Sequence, residues 1–495
     1  MSEITHWING KTFDDSAKRH GEIFNPATGE VSKKLAFGTA ATVDVAVKAA
    51  TDAFAEWRHS SLTKRVNVLF AFRELVNTNK EKIAALITAE HGKVLSDAAG
   101  EVTRGLEVVE FACGIPHLLK GGFSEEVSTG VDVYSIRQAL GPVAIISPFN
   151  FPAMVPMWFF PVALAAGNTV ILKPSEKDPS AAIWMAELWT EAGLPAGVFN
   201  VLQGDKESVD GLIESDDVAS ISFVGSTPIA QYIYENSARK GKRVQALGGA
   251  KNHMLVLPDA DLNLVADSAV NAGFGSAGER CMAISVVVAV EPVADEMIEK
   301  IVEKMSQIKV GDGRRSCDMG PLVTKEHRDK VAGYIEIASA DGAKVVVDGR
   351  NVEPDGDQAG FWLGPTLIDQ VPTTSKVYQE EIFGPVLSVV RVKSFDEGLE
   401  LINGGAFGNG TAVFTNDGGA ARRFQNEVQA GMIGINVPIP VPVAYFSFGG
   451  WKHSLFGDSR AHGEEGFRFF TQTKVVTSRW LDPSHGGLNL GFPQN

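Results

Sequence analysis

Three cysteines are available to this chain of 495 residues, and one of them stands where a nucleophile would be useful. Cys281 lies in Gly278-Glu279-Arg280-Cys281-Met282-Ala283, directly after a glycine-rich run. The thiolate is the reactive form of cysteine, and Arg280 beside it in an open loop is expected to lower the thiol's pKa. An inert core thiol is the alternative. Cys113 falls on an apolar helical stripe and Cys317 in the polar turn Arg315-Ser316-Cys317-Asp318, so both are expected to be inert. The run Gly273-Phe274-Gly275-Ser276-Ala277-Gly278 matches G-x-G-x-x-G, but it closes a helical stretch, whereas a dinucleotide fingerprint follows a strand and opens a helix. Its glycines are expected to let the backbone approach a reacting group closely.

Three other segments carry polar groups at the ends of apolar runs. Ser147-Pro148-Phe149-Asn150-Phe151-Pro152 places Asn150 where an amide could stabilise an oxyanion. Lys173-Pro174-Ser175-Glu176 offers a cation and a carboxylate to ribose hydroxyls, and Phe223-Val224-Gly225-Ser226-Thr227 suits a pyrophosphate at a helix N-terminus. Taken singly, each is also an ordinary strand-to-helix turn. The ten histidines are scattered without metal-ligand spacing, so no metal site is expected, and His253 reads as a structural hydrogen-bonding residue.

These groups need elements to hold them. Residues 1 to 140 read as mostly helical, with Val102, Leu106, Val109 and Cys113 on one stripe. From Gly141 short β-rich runs (143–146, 169–172, 198–202, 221–224, 243–247) alternate with helical segments, and a second alternating series, with strands near 284–291, 343–348, 386–392, 411–415 and 432–436, follows the Asp259-Ala260-Asp261 turn. Strict alternation implies two doubly wound α/β units with ligands at the carboxyl edge of a parallel sheet. The stretches 127–138 and 467–480 read as strands of neither sheet, free to pair across a subunit boundary, so a homo-oligomer, dimer or tetramer, is expected.

Composition narrows the partners. Sixty acidic against forty-five basic residues give a net charge of −15, which leaves no basic face for nucleic acid. From Ala139 to Leu172 no side chain is charged, longer than the ~20 residues that span a bilayer, but prolines at 142, 148, 152, 156 and 161 argue for buried core instead of membrane. Few cysteines and no apolar leader after Met1 point to the cytoplasm.

With these residues in view, the chain resembles the aldehyde dehydrogenase superfamily over essentially its whole length. The likeness rests on Pro148-Phe149-Asn150-Phe151-Pro152, Lys173-Pro174-Ser175-Glu176, Phe223-Val224-Gly225-Ser226-Thr227, the Cys281 loop and Glu380-Glu381-Ile382-Phe383-Gly384-Pro385-Val386. The resemblance implies that Cys281 is the nucleophile and Asn150 the oxyanion donor. It implies an NAD site built from Phe149, Lys173, Glu176, Gly225, Ser226, Glu381 and Phe383, with NAD preferred to NADP because Glu176 would repel a 2′-phosphate. It also implies an NAD-binding domain (1–120 and 139–250), a catalytic domain (251–446) and a β oligomerisation element with the C-terminal tail (121–138 and 447–495).

One departure is informative. Hydrolytic members carry a glutamate about 34 residues before the nucleophile, and counting back from Cys281 reaches Leu247 in Gln245-Ala246-Leu247-Gly248-Gly249-Ala250-Lys251. Leu247, Gly248 and Ala246 are not carboxylates, so the usual deacylation base is missing. The chain is therefore similar to the CoA-acylating, methylmalonate-semialdehyde dehydrogenase subfamily, whose signatures appear at 104–111, 130–138, 154–158 and 278–283. That likeness implies CoA as co-substrate and a small acidic semialdehyde whose carboxylate Arg104 and Arg280 would clamp. A hydrolytic dehydrogenase and a non-catalytic protein on the same scaffold are the competing readings.

Overall fold

The computed structural model describes residues 2–14 and 19–480. Two large sheets divide the chain. The first runs Leu455–Phe456, Arg243–Leu247, Ser220–Val224, Pro142–Ile146, Thr169–Lys173, Phe199–Val201, His6–Ile8, Lys11–Phe13, with its five central strands parallel. The second runs Lys344–Val347, Thr366–Asp369, Val386–Val392, Ile284–Val290, Asn252–Val256, Gly410–Phe414, Met432–Ile435, parallel except for the first pair. The expected pair of doubly wound units is present, and the chain crosses from one sheet to the other between Leu247 and Asn252. Near-continuous apolar strands such as Val143 to Ile146 are what a parallel sheet covered on both faces requires.

The first 36 residues depart from the helical expectation, forming five short strands instead. Asn9-Gly10 takes positive φ at both positions and turns a hairpin between His6–Ile8 and Lys11–Phe13, which is the behaviour of an Asn-Gly pair between strands. Asn252–Val256 and Thr366–Asp369 are further strands that the alternation did not reveal.

The stretches expected to belong to neither sheet make a third one of their own. Phe123–Ser128, Val131–Ala139 and Thr471–Arg479 form an antiparallel sheet in which the tail strand pairs with Val131–Ala139 along its length. They therefore have partners within the chain, and the unpaired edges are the outer ones, where Phe123 is 66% and Val475 65% exposed. The expected tail is subdivided: Leu455–Phe456 joins the first sheet and Gly463–Phe469 is a helix, while 481–495 lies outside the described residues. No helix among the described residues is long and apolar enough to cross a membrane.

The uncharged stretch 139–172 is the buried centre of the first unit. Its helix Met154–Ala166 is buried at every position and has no capping side chain of its own. Its N-terminus is met from far away: Glu101 accepts hydrogen bonds from the amides of Ala153 (2.8 Å) and Met154 (3.1 Å), where the helix dipole favours an anion. Lys93 completes the arrangement. Its Nζ donates to the other Glu101 oxygen at 2.9 Å and to the Asn150 carbonyl at 2.5 Å, and lies 4.3 Å from the centre of the Phe151 ring. Both Lys93 and Glu101 are buried, so each ion needs the other.

Lys93→Met should therefore leave the Glu101 carboxyl without its counter-ion and cost on the order of 3 to 5 kcal/mol. The drop is measured as a lowered urea midpoint at unchanged slope; a midpoint equal to wild type would show that the pair carries no stability.

Candidate active site

Cys281 is delivered by a turn of unusual hand. The helix Leu262–Phe274 ends, and Ser276, Ala277 and Gly278 then take φ values of +53°, +52° and +73°. At Gly278 a Cβ would lie 2.3 Å from the Gly384 carbonyl oxygen, so only glycine lets this turn lie against the Glu381–Gly384 segment. The close approach anticipated for the glycine run is thus to that segment's backbone. The Cys281 carbonyl is gripped by two amides, Asn252 Nδ2 at 2.9 Å and Asn409 Nδ2 at 3.1 Å, which the sequence reading did not single out.

Arg280, Cys281, Asn252, Glu381 and Phe383 line one cavity. Glu381 Oε1 accepts from the Ala250 amide at 2.8 Å, and Oε2 faces Gly249, where a Cβ would come within 2.4 Å. Phe383 holds a positive φ of 62°, its carbonyl accepts from His327 Nε2 at 2.7 Å, and its ring meets Phe149 edge-on at 5.8 Å. Phe149 in turn lies under Lys177 Nζ at 4.3 Å. Lys173 and Glu176 pair at 3.3 Å. Burial works against ionisation of Glu176, but Lys173 and Lys177 hold its carboxyl below the ordinary value, so it stands charged at neutral pH. Gly225 donates to the Leu247 carbonyl at 3.1 Å and Thr227 Oγ1 accepts from the Gly249 amide at 2.9 Å, which brings the Ser226 helix start beside the Glu381 segment. The expected cofactor residues thus gather at the carboxyl ends of the first sheet's parallel strands, and Asn150 is fixed among them through its carbonyl.

Electrostatics correct one expectation. Burial, and then the charge of Glu381, push the Cys281 thiol up to about 12, and Arg280 opposes this only weakly. The reason is visible: Arg280 is neutralised by Asp97 at 2.6 Å. Cys113 and Cys317 are pushed up by burial to about 11, so position, not acidity, distinguishes Cys281. Arg104 lies outside the cavity, 45% exposed and paired with Glu107 at 2.9 Å. Asp97 and Arg104 are seven residues apart on the helix Leu95–Cys113, hence on one face about 10 Å apart along the axis. His253 bonds Tyr378 Oη at 3.0 Å, in keeping with a structural role.

The position of the missing base is apolar in space as well as in sequence. Leu247 is 2% exposed and belongs, with Phe151, Met154 and Met282, to the apolar cluster against which Cys281 packs. At Gly248 a side chain would meet the His453 carbonyl at 2.6 Å. Among the described residues, Glu381 is the one carboxylate lining the Cys281 cavity.

Comparison with known proteins settles the lineage. The profile of the aldehyde dehydrogenase family matches residues 13–476. The chain belongs to the aldehyde dehydrogenase family. It is similar to a malonate-semialdehyde dehydrogenase of Pseudomonas aeruginosa, 52% identical over 497 residues and the whole of both chains. A methylmalonate-semialdehyde dehydrogenase from Oceanimonas doudoroffii superposes with a TM-score of 0.96 at 51% identity, covering 98% of this chain and 99% of the other. A relative from Sinorhizobium meliloti, solved in complex with NAD, gives the same TM-score at 49% identity, covering 97% and 99%.

In this aldehyde dehydrogenase Lys93 and Glu101 escaped the sequence reading because nothing local marks a buried ion pair. Asn252 was in view, five residues after Leu247, but its role depends on Cys281 lying beside it. Cys281→Ala should abolish aldehyde oxidation, while Cys113→Ala and Cys317→Ser should leave turnover within about two-fold, since neither thiol lines the cavity. NADH formation followed at 340 nm decides it, and a fully active Cys281 variant would refute the assignment of the nucleophile.

Proposed function

We propose that this aldehyde dehydrogenase oxidises malonate or methylmalonate semialdehyde with NAD and passes the acyl group to CoA, giving acetyl-CoA or propionyl-CoA as the carboxylate departs as carbon dioxide or bicarbonate. The observation that carries this reading is Leu247: an apolar side chain stands where a hydrolytic relative holds its water-activating glutamate. The printed functions of the Pseudomonas and Oceanimonas relatives support the substrate class.

Cys281 adds to the aldehyde carbon and Asn150 donates to the oxygen that becomes negative. NAD, when bound, supplies the hydride acceptor. Lys173 and the ionised Glu176 would hold its adenosine ribose, Gly225 and Ser226 its pyrophosphate, and Glu381, Phe383 and Phe149 its nicotinamide end; a charged Glu176 favours NAD over a 2′-phosphorylated cofactor. Arg280, anchored by Asp97, and Arg104, on the same helix face, are assigned to the substrate carboxylate, with Arg104 exchanging Glu107 for substrate. The exposed outer edges of the third sheet are assigned to a second copy of the chain, and the three free cysteines fit a cytoplasmic setting.

Without CoA, roughly one NADH should be released per active site, followed by slow hydrolysis; adding CoA should restore steady turnover. Sustained turnover at the same rate without CoA would establish the hydrolytic alternative. Arg104→Leu should raise KM for malonate semialdehyde ten-fold or more, in line with losing a charge-assisted bond of roughly 1.5 to 3 kcal/mol, and leave propanal oxidation nearly unchanged. Equal losses for both aldehydes would place Arg104 in the scaffold.

A further inference from the structure

Acyl transfer poses a problem that the thioester chemistry alone does not solve. The incoming nucleophile is a thiol, which must lose its proton, and the leaving Cys281 sits where burial disfavours the thiolate. With Leu247 at the usual base position, some other group has to take that proton and return it.

We propose that Glu381 is the base of the acyl-transfer half of the reaction, acting once the nicotinamide ribose no longer occupies its carboxylate. The geometry favours it over every other acid. It is the single carboxylate lining the Cys281 cavity among the described residues, whereas Glu279, two residues from Cys281, is turned away toward the Val323 amide and His327. The carboxylate is fixed by the Ala250 amide on one oxygen, while the other faces the side-chain-free Gly249. Gly249 thus keeps open the space in which Glu381 stands.

Its surroundings suit a group that takes and gives a proton near neutrality. Burial pushes the Glu381 carboxyl up to about 7, against the pull of the Ala250 amide, Lys251 and Lys330. Lys251 is held between the Val377 and Glu380 carbonyls at 2.7 and 2.8 Å, and burial lowers it to about 7. Glu380 is turned away into a 2.6 Å hydrogen bond from the Tyr334 hydroxyl, and Arg280, the other charged side chain lining the cavity among the described residues, is committed to Asp97. A base with a pKa near the working pH is the efficient case for general catalysis.

The step balances without any further reagent. Glu381 accepts the thiol proton as the thiol sulfur bonds to the thioester carbon, and Asn150 donates to the resulting oxyanion. The carbon–Sγ bond then breaks, the Cys281 sulfur takes the proton back from Glu381, and both groups regain their starting states. No atom is oxidised or reduced.

This inference rests on the reading that a thiol is the acyl acceptor, and the test separates the two. Cys281 is acylated with p-nitrophenyl propionate in the absence of NAD, so that any part Glu381 plays in cofactor binding is silent. Decay of the acyl-enzyme is then followed from pH 5 to 9 with CoA or with 2-mercaptoethanol. Wild type should accelerate through an inflection near pH 7; Glu381→Gln should lose the inflection and fall by about 100-fold at pH 8. Glu381→Asp, which keeps the carboxylate, should recover part of the rate and the inflection. A Glu381→Gln protein that transfers as fast as wild type, or faster, would overturn the proposal and leave Glu381 as a charge that merely disfavours the thiolate. An inflection that depends on Glu381 with 2-mercaptoethanol but no transfer to CoA would uphold the base and remove CoA as the acceptor.

Discussion

A buried lysine and a buried glutamate hold the Asn150 loop in place. Glu101 caps the helix Met154–Ala166, Lys93 neutralises Glu101, and the same ammonium fixes the Asn150 carbonyl. Without the carboxylate the first two amides of a fully buried helix would face an apolar interior unpaired, and without the lysine the carboxylate could not stay ionised there. Asn150 is therefore placed by the solution to a helix-capping problem. Lys93 is also where the two units touch: Leu95 donates to the Gly313 carbonyl, and a Cβ at Gly313 or Gly320 would strike the Gly92 and Lys93 backbone.

Cys281 rests as a thiol. Burial and Glu381 both oppose its ionisation, and the neighbouring arginine is spent on Asp97. A protonated cysteine oxidises slowly, since reactivity follows thiolate content. Arginine next to cysteine suggested the opposite because the partner of Arg280 lies 183 residues away, on a helix that sequence proximity does not bring to mind.

That contrast separates what could be read in the chain from what could not. Most parallel strands were legible because burial on both faces writes them as short apolar runs, and most of the predicted limits agree with the fold to within a residue or two, while Asn252–Val256 and Thr366–Asp369 were missed. The N-terminal hairpin was missed: Asn9-Gly10 marks it, but three-residue strands give too little periodicity to outweigh a helical reading. Asn150, Lys173, Glu176, Gly225 and Ser226 follow from alternation plus polar turn residues, whereas Glu381 and Phe383 came only with the family resemblance. Lys93, Glu101, Asn252 and Asn409 do not, because each acts on a residue tens or hundreds of positions away and looks locally like surface. The third sheet shows the same limit: its strands were recognised, but that they would pair with one another requires knowing that residues 131 and 479 meet.

The return of Leu455–Phe456 to the first sheet has a consequence for synthesis on the ribosome. Its pairing with Arg243–Leu247 closes an edge that the preceding residues leave open, and Asn168 in the same unit donates to the Phe470 carbonyl. The amino-terminal half thus emerges well before the strand and the carbonyl that complete it. Chains normally fold domain by domain as they appear, but this one must wait with an incomplete sheet edge while some two hundred further residues are made. A stalled or truncated product would present that edge to its neighbours, so threading the tail through the first unit leaves the Arg243–Leu247 edge open to pairing with other chains until Leu455–Phe456 has been made.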